Sequence, residues 1–273
     1  MQAASRESYT VAAERLDAYV RGAEPSAVVS TADDILSVAD LLRREPRLRR
    51  ALSDPARSGE DRAGLLTGIL GGKVGADALD LLTGLVSGRW SAPSELLDGT
   101  ERLGVEALLA SADRSGDLGE VEDELFRFGQ VVSGQSALSN ALSDPIAPVG
   151  QRAGLARELL AAKARPVTVR LVEAALGGFG GRSFTGALTR LVELAADRRD
   201  RQVAYVTVAA PLSDEEERRL GARLSAMYGR EVSVKQTVDP EVLGGVSVRV
   251  GSDLYDGTVL RRLNETRNAL AKR

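Results

Sequence analysis

One sixteen-residue stretch of this chain occurs twice. ALSDPARSGEDRAGLL, from Ala51 to Leu66, returns as ALSDPIAPVGQRAGLA, from Ala141 to Ala156, offset by 90 residues and without a gap. Nine of the sixteen positions agree: the five of Ala-Leu-Ser-Asp-Pro and the four of Arg-Ala-Gly-Leu. Self-similarity at a fixed offset marks a duplicated structural unit, and it restricts the chain to architectures in which one unit is built twice. Both segments follow a helical pattern, Ile35 to Leu42 in one copy and Leu125 to Val132 in the other. In each, Ser-Asp-Pro breaks one helix before the next begins, because proline disfavours helical geometry in the residue before it.

Apolar spacing around these anchors predicts helices near 8–20, 31–44, 59–71, 75–88, 92–113, 118–133, 149–163, 166–177 and 184–198. Ser30, Ser58 and Ser91 are placed to cap helices. Two bundles result, residues 1–104 and 105–200, and the stretch from Ser91 to Arg114 carries the last helix of one straight into the first helix of the next. Aromatic residues make up only 4% of the chain, so Ala, Leu and Val must fill the core, which suits closely packed helices.

After Arg201 the period changes. QVAYVTVAAPL and EVSVKQTV read as strands rich in β-branched residues, separated by a helix that opens on a capping box, Ser213 to Glu216. That helix has one apolar side, Leu220, Leu224, Met227 and Tyr228. Next, Val246, Val248 and Val250 alternate with Ser247 and Arg249, the two-residue period of a strand buried on one face. Gly244 and Gly245 stand at its entrance, where a tight bend excludes a side chain. Asp256 is placed to cap a terminal helix whose apolar side is Val259, Leu260, Leu263 and Leu270. Residues 201–273 therefore predict a β-α-β-β-α unit with a three-stranded sheet. Its first two strands are joined through a helix and so are expected to run parallel. The fold class is mostly α, with tandem helical bundles followed by a small α+β C-terminal domain.

The composition closes off much chemistry. Cysteine and histidine are both absent, which removes the thiolate nucleophile, the disulfide, the commonest general base and the commonest transition-metal ligand. TGILGGKV (Thr67 to Val74) lacks both the first glycine and the hydroxyl residue of a phosphate loop. GGFGGRS (Gly177 to Ser183) follows a helix, where a dinucleotide site needs a strand, and reads as a tight connection. The carboxylates at Asp33-Asp34, Glu120 to Glu124 and Asp214 to Glu217 fall in first turns of predicted helices, where they favour the helix dipole and stay solvated. Trp90, beside Arg89 at a helix junction, reads as a packing residue. No catalytic, cofactor-binding or metal-binding residues are expected.

Net charge is −3, split as +2 for residues 201–273 (12 basic, 10 acidic) and −5 for the rest, which names no polyanionic partner. No apolar run approaches the ~20 residues needed to cross a bilayer, and MQAASRESYT lacks the apolar core of an export signal. A soluble, cytoplasmic chain without direct membrane insertion is expected.

The segment VDPEVLGGVSVRVGSDLYDGTVLRRL, from Val238 to Leu263, resembles the C-terminal signature of the delta subunit of F-type ATP synthase, called the oligomycin-sensitivity-conferring protein in mitochondria. Asp239, Gly244, Gly245, Asp256, Gly257 and Arg261 carry that resemblance. SRESYTVAAERL, from Ser5 to Leu16, is similar to the family's opening helix, with Thr10 where alanine is usual. EALLASADRSGDLGEVEDELFRF, LSNALSDP and GGFGGRSFTGALTRLVEL resemble its helical bundle. The chain departs from the family in length, having a second bundle where a typical member has one.

The resemblance implies a stator subunit of the peripheral stalk. The helical part would pack onto N-terminal helices of the α subunits in the α3β3 head, and the C-terminal domain would grip the ends of the b subunits, at the cytoplasmic face of the cell membrane. Tyr9 and Leu16, on helix 8–20, become candidates for contact with an α subunit, and Val246, Val248 and Leu263 for contact with b. Two rivals are a tandem helical-repeat adaptor and an RNA-binding protein. The first would leave the C-terminal signature incidental. The second calls for a basic stripe with stacking aromatics, and residues 201–273 offer only Tyr205, Tyr228 and Tyr255.

Overall fold

The computed structural model describes residues 1–161, 163–199, 201–229, 231–240, 242, 244–250 and 253–257. They fall into two compact units, Met1–Leu191 and Val192–Arg273.

The first unit is helical. It runs α1 (Ala3–Gly22), α2 (Pro25–Arg44), α3 (Pro46–Leu52), α4 (Gly59–Leu70), α5 (Ala76–Ser87) and α6 (Pro93–Arg114). It continues α7 (Leu118–Gly134), α8 (Ser136–Ser143), α9 (Val149–Leu160), α10 (Pro166–Leu176) and α11 (Phe184–Arg198), the last of which crosses into the second unit. The offset of 90 survives in the helices: α4 and α9 begin at Gly59 and Val149, and α5 and α10 at Ala76 and Pro166. It also pairs α1, from Ala3, with α6, from Pro93. One copy is therefore α1–α6 and the other α6–α11, with α6 common to both. The sequence position 104 lies in the middle of this shared helix.

That double duty explains the composition of α6. From Leu96 onward its buried positions include Gly99, Thr100, Leu103, Gly104 and Val105 and run without a break from Ala107 to Ala112, because α1 and α2 pack on it from one copy and α7 and α10 from the other. A helix buried all round needs apolar or small residues all round. Small residues also let neighbours close in: the Trp90 indole lies over Gly99, where a methyl group would stand 2.5 Å from the ring. α1 and α6 lie parallel with matched ends. The Gln2 amide donates to Glu95 at 2.7 Å at one end, and Arg114 donates to the Arg21 carbonyl at 2.9 Å at the other.

Several local expectations need correction. α1 and α2 begin earlier than predicted, at Ala3 and Pro25; proline is tolerated in the first turn because its missing N–H would be unpaired there. Ser30 consequently lies inside α2, and Ala92, not Ser91, precedes α6 as its cap. Ser58 does cap α4, accepting from the Asp61 amide at 3.0 Å. The short helices α3 and α8 are additions to the predicted set.

The second unit contains β1 (Arg201–Val208), α12 (Asp214–Tyr228), β2 (Glu231–Val238), β3 (Val246–Val250) and β4 (Asp253–Asp256). The sheet order is β2-β1-β3-β4, with β1 and β2 parallel and the other pairs antiparallel. Ser213 and Glu216 form the expected capping box at the start of α12. Leu224 of α12 joins Ala204, Val206, Val208, Val232, Val248 and Val250 in the core, with Leu220 and Tyr228 packed against it. The three-stranded sheet predicted from sequence has a fourth strand, β4, and Asp256, placed from sequence as a helix cap, ends that strand opposite Ser247. Pairing along β3 satisfies backbone groups that a turn would have left to water. The predicted terminal helix, with Val259, Leu260, Arg261, Leu263 and Leu270, lies outside the described residues.

Candidate functional site

The C-terminal signature forms the β3–β4 half of the sheet. Gly244 and Gly245 have φ of 72° and 82°, in the left-handed region that side chains avoid, so the bend entering β3 requires glycine twice. The Asp239 amide donates to the Val208 carbonyl at 2.8 Å, tying the start of that bend to the end of β1. Gly257 donates to the Val246 carbonyl at 2.9 Å, and a methyl group on it would sit 3.0 Å from the same oxygen. These residues shape the backbone.

Val246 and Val248, candidates for gripping a partner, face their own core. They pair with Val208 and Val206, and Val248 is buried. The two-residue period that buries Val250 brings them to the same side, against α12. What this edge offers outward is β4: Leu254 is 63% exposed and Tyr255 is exposed beside it. Leu254 lies opposite Arg249, whose guanidinium stands 4.7 Å from the centre of the Tyr205 ring, so leucine, arginine and tyrosine make a row across three strands. On the other side of the sheet the Tyr228 hydroxyl meets the Tyr255 hydroxyl at 3.1 Å and donates to Asp253 at 2.9 Å. The bond to Tyr255 is the first cause raising the Tyr228 pKa, ahead of burial and Asp253.

In the helical unit, Tyr9 and Leu16 are 5% and 1% exposed, so the candidate contacts on α1 belong to the bundle's interior. Their spacing of seven residues puts them on the one apolar stripe of α1, which packs on α5 and α6. Arg102 of α6 lies over the Tyr9 ring at 4.5 Å. The carboxylates read as solvated caps are also partly corrected. Asp33 takes Arg170 of α10 at 3.0 Å, Asp34 accepts from the Gly75 amide at 2.8 Å, and Glu124 accepts from the Arg165 amide at 2.9 Å. They cross-link helices.

Between α2 and the α9–α10 pair lies a cleft of about 810 Å³. Leu36, Ala153, Val169 and Phe179 give it apolar walls, and its arginines are internally paired: Arg170 with Asp33, Arg157 with Glu173 and Arg43 with Glu101. Among the described residues no cluster could hold a metal ion, and no helix is long and apolar enough to cross a membrane.

The profile of the ATP synthase delta (OSCP) subunit family matches residues 105–270. The ATP synthase subunit delta of Salinispora arenicola is 87% identical over 274 residues, covering all of both chains. The chain belongs to the ATP synthase delta (OSCP) subunit family. Members of this family are components of the peripheral stalk of ATP synthase. Subunit delta of Salinispora tropica is 84% identical over the full length of both chains, and that of Streptomyces griseus 47% identical over 99% of this chain and all of its own. These delta subunits match across both helical copies, so the longer layout is common to them.

The delta family profile begins inside α6 and runs on through α7–α11 and the sheet unit, while α1–α5 precede it. The signature glycines identify the family by building its sheet. The exposed Leu254 and Tyr255 escaped the sequence reading. Their signal was faint: Asp253-Leu254-Tyr255-Asp256 shows no apolar–polar alternation, and the Asp-Gly beside it reads as a helix start.

Proposed function

We propose that this chain is a mechanical brace without a reaction centre of its own. The helical unit seats on the α3β3 head through N-terminal helices of the α subunits, and the sheet unit holds the C-terminal ends of the b subunits. It does so at the cytoplasmic face of the cell membrane, as a peripheral part of the complex. Holding the head still while the rotor turns converts proton flow into conformational work in the head. Helix-in-groove and sheet-edge contacts suit that task, the first through packed apolar side chains and the second through main-chain hydrogen bonds. The observation that carries this reading is the 87% identity to a subunit delta along the whole chain.

The test is depletion and return. Membranes stripped of this subunit are expected to keep the ATP hydrolysis of the head but lose ATP-driven proton pumping, and adding back the purified chain restores pumping. Full coupling in its absence refutes the brace. Titrating the full chain separately with the α3β3 head and with b C-terminal ends assigns each unit its partner.

A further inference from the structure

The two helical copies differ at one corner. In the first, α4 opens directly against the end of α5: a methyl group on Gly59 would stand 2.6 Å from the Ser87 carbonyl oxygen. That approach brings Arg62, 4% exposed, into a clamp. Its guanidinium donates to the carbonyls of Val86 at 2.9 Å, Ser87 at 3.0 Å and Gly88 at 2.8 Å. It also donates to Asp54 at 3.0 Å and Arg57 at 2.6 Å.

In the second copy the place of Gly59 is taken by Val149 and that of Arg62 by Arg152. Arg152 donates to the carbonyls of Leu142 at 3.1 Å and Ala147 at 3.3 Å, and among the described residues to no carbonyl at the end of α10. The cleft of about 810 Å³ occupies that side of α10, with Val149, Gly150 and Gly177 in its lining, and Val149 is 46% exposed. The turn after α10 is held from the shared helix α6 instead, with the Gly180 amide donating to Glu101 at 2.7 Å.

We infer that Val149 is a wedge that holds the second copy open, and that Arg152 is the disengaged half of a clamp whose counterpart, Arg62, is closed in the first. The argument is steric. A side-chain carbon cannot lie 2.6 Å from a backbone oxygen, because non-bonded heavy atoms settle about 3.5 Å or more apart. The start of α9 must therefore stand away from the end of α10, out of reach of the Arg152 guanidinium. Pro148 reinforces the difference, since the capping hydroxyl of Ser58 has no equivalent at that position. One side chain thus leaves the second copy with an open cleft at the corner that the first copy closes with Arg62. This inference is independent of what either copy binds.

Because the chain has no cysteine, a labelled pair can be introduced cleanly. Spin labels at Gln151→Cys and Arg182→Cys in the full chain report the gap between the start of α9 and the turn after α10. Converting Pro148→Ser and Val149→Gly, which installs the residue types of the first copy, is expected to shorten that distance. Adding Arg152→Ala to this double variant restores the long distance, whereas Arg152→Ala alone leaves it unchanged. An unaltered distance in the double variant overturns the inference. The reverse exchange guards against a variant that does not fold: Gly59→Val in the first copy is expected to remove amide-exchange protection at the start of α4, and retained protection there overturns the inference equally.

Discussion

Arg43 of α2 and Glu101 of α6 meet at 2.8 Å, with the carboxylate almost sealed from water and the guanidinium about a third exposed. Glu101 also accepts from the Gly180 amide at 2.7 Å, so one acidic side chain joins α2, α6 and the turn after α10. Burial is the largest influence on it and raises its pKa above the ordinary glutamate value, against the opposing pull of Gly180 and Arg43. In the window between the unfolded and the raised folded pKa, the native state binds more protons than the unfolded chain, so stability falls as pH rises through it. Glu101→Gln is expected to remove this slope, as read from denaturant midpoints across pH 4 to 7. Arg43→Ala, which strands the buried carboxylate, is expected to cost about 3 kcal/mol at neutral pH.

The arginines of the repeated Arg-Ala-Gly-Leu segments are expected to differ in weight. Arg62 is buried and serves five carbonyls. Arg62→Ala leaves several of them without a donor and is expected to cost at least about 3 kcal/mol. Arg152 is half-buried and serves two carbonyls, and Arg152→Ala is expected to cost about 1 kcal/mol. Urea unfolding of both variants checks the order, and equal losses contradict it.

Much of this is legible in the sequence because the repeat supplies a ruler. Once Ala51 is laid on Ala141, all but one of the helix starts in one copy forecast a start in the other to within a residue, and the unbroken stretch from Ser91 to Arg114 shows that one helix runs from copy to copy. The early start of α2 is hidden because Pro25 reads as a breaker although the first helical turn accepts it. β4 is hidden because four residues beside an Asp-Gly carry too little pattern, and only the β3 partner makes them a strand. The apolar stripe of α1 misleads for another reason. Tyr9 and Leu16 read as a surface for a partner, but a bundle first fills its own core with such a stripe.

Gly99 sets two magnitudes against each other. Glycine inside a helix costs about 1 kcal/mol relative to alanine, so Gly99→Ala gains that much from the backbone. Its new methyl, however, would stand 2.5 Å from the Trp90 ring, and the ring is pinned by its indole N–H donating to the Leu85 carbonyl at 3.0 Å. Overpacking against a fixed ring costs about 1–3 kcal/mol. Gly99→Ala is expected to lower the melting temperature and shift the Trp90 fluorescence, and a stabilised variant would mean that the ring yields.

The exposed sheet edge yields the sharpest test of the partner assignment. Leu254 is exposed on β4 and pairs with Arg249, which lies over Tyr205, so an apolar group, a cation and an aromatic ring form a row across three strands. Aromatic and arginine side chains are enriched among residues that dominate binding, and an exposed leucine beside them adds apolar area that a partner helix could cover. Leu254→Asp changes no core contact among the described residues, whose core lies on the α12 side of the sheet. It is therefore expected to leave the melting temperature within about 1 °C while weakening binding of b C-terminal ends by about tenfold, or 1.4 kcal/mol. Val248→Asp is the contrast: on the buried side, it is expected to unfold the sheet unit outright. Titration of the full-length variants with b ends separates the two effects, and undiminished binding by Leu254→Asp moves the b surface away from this edge.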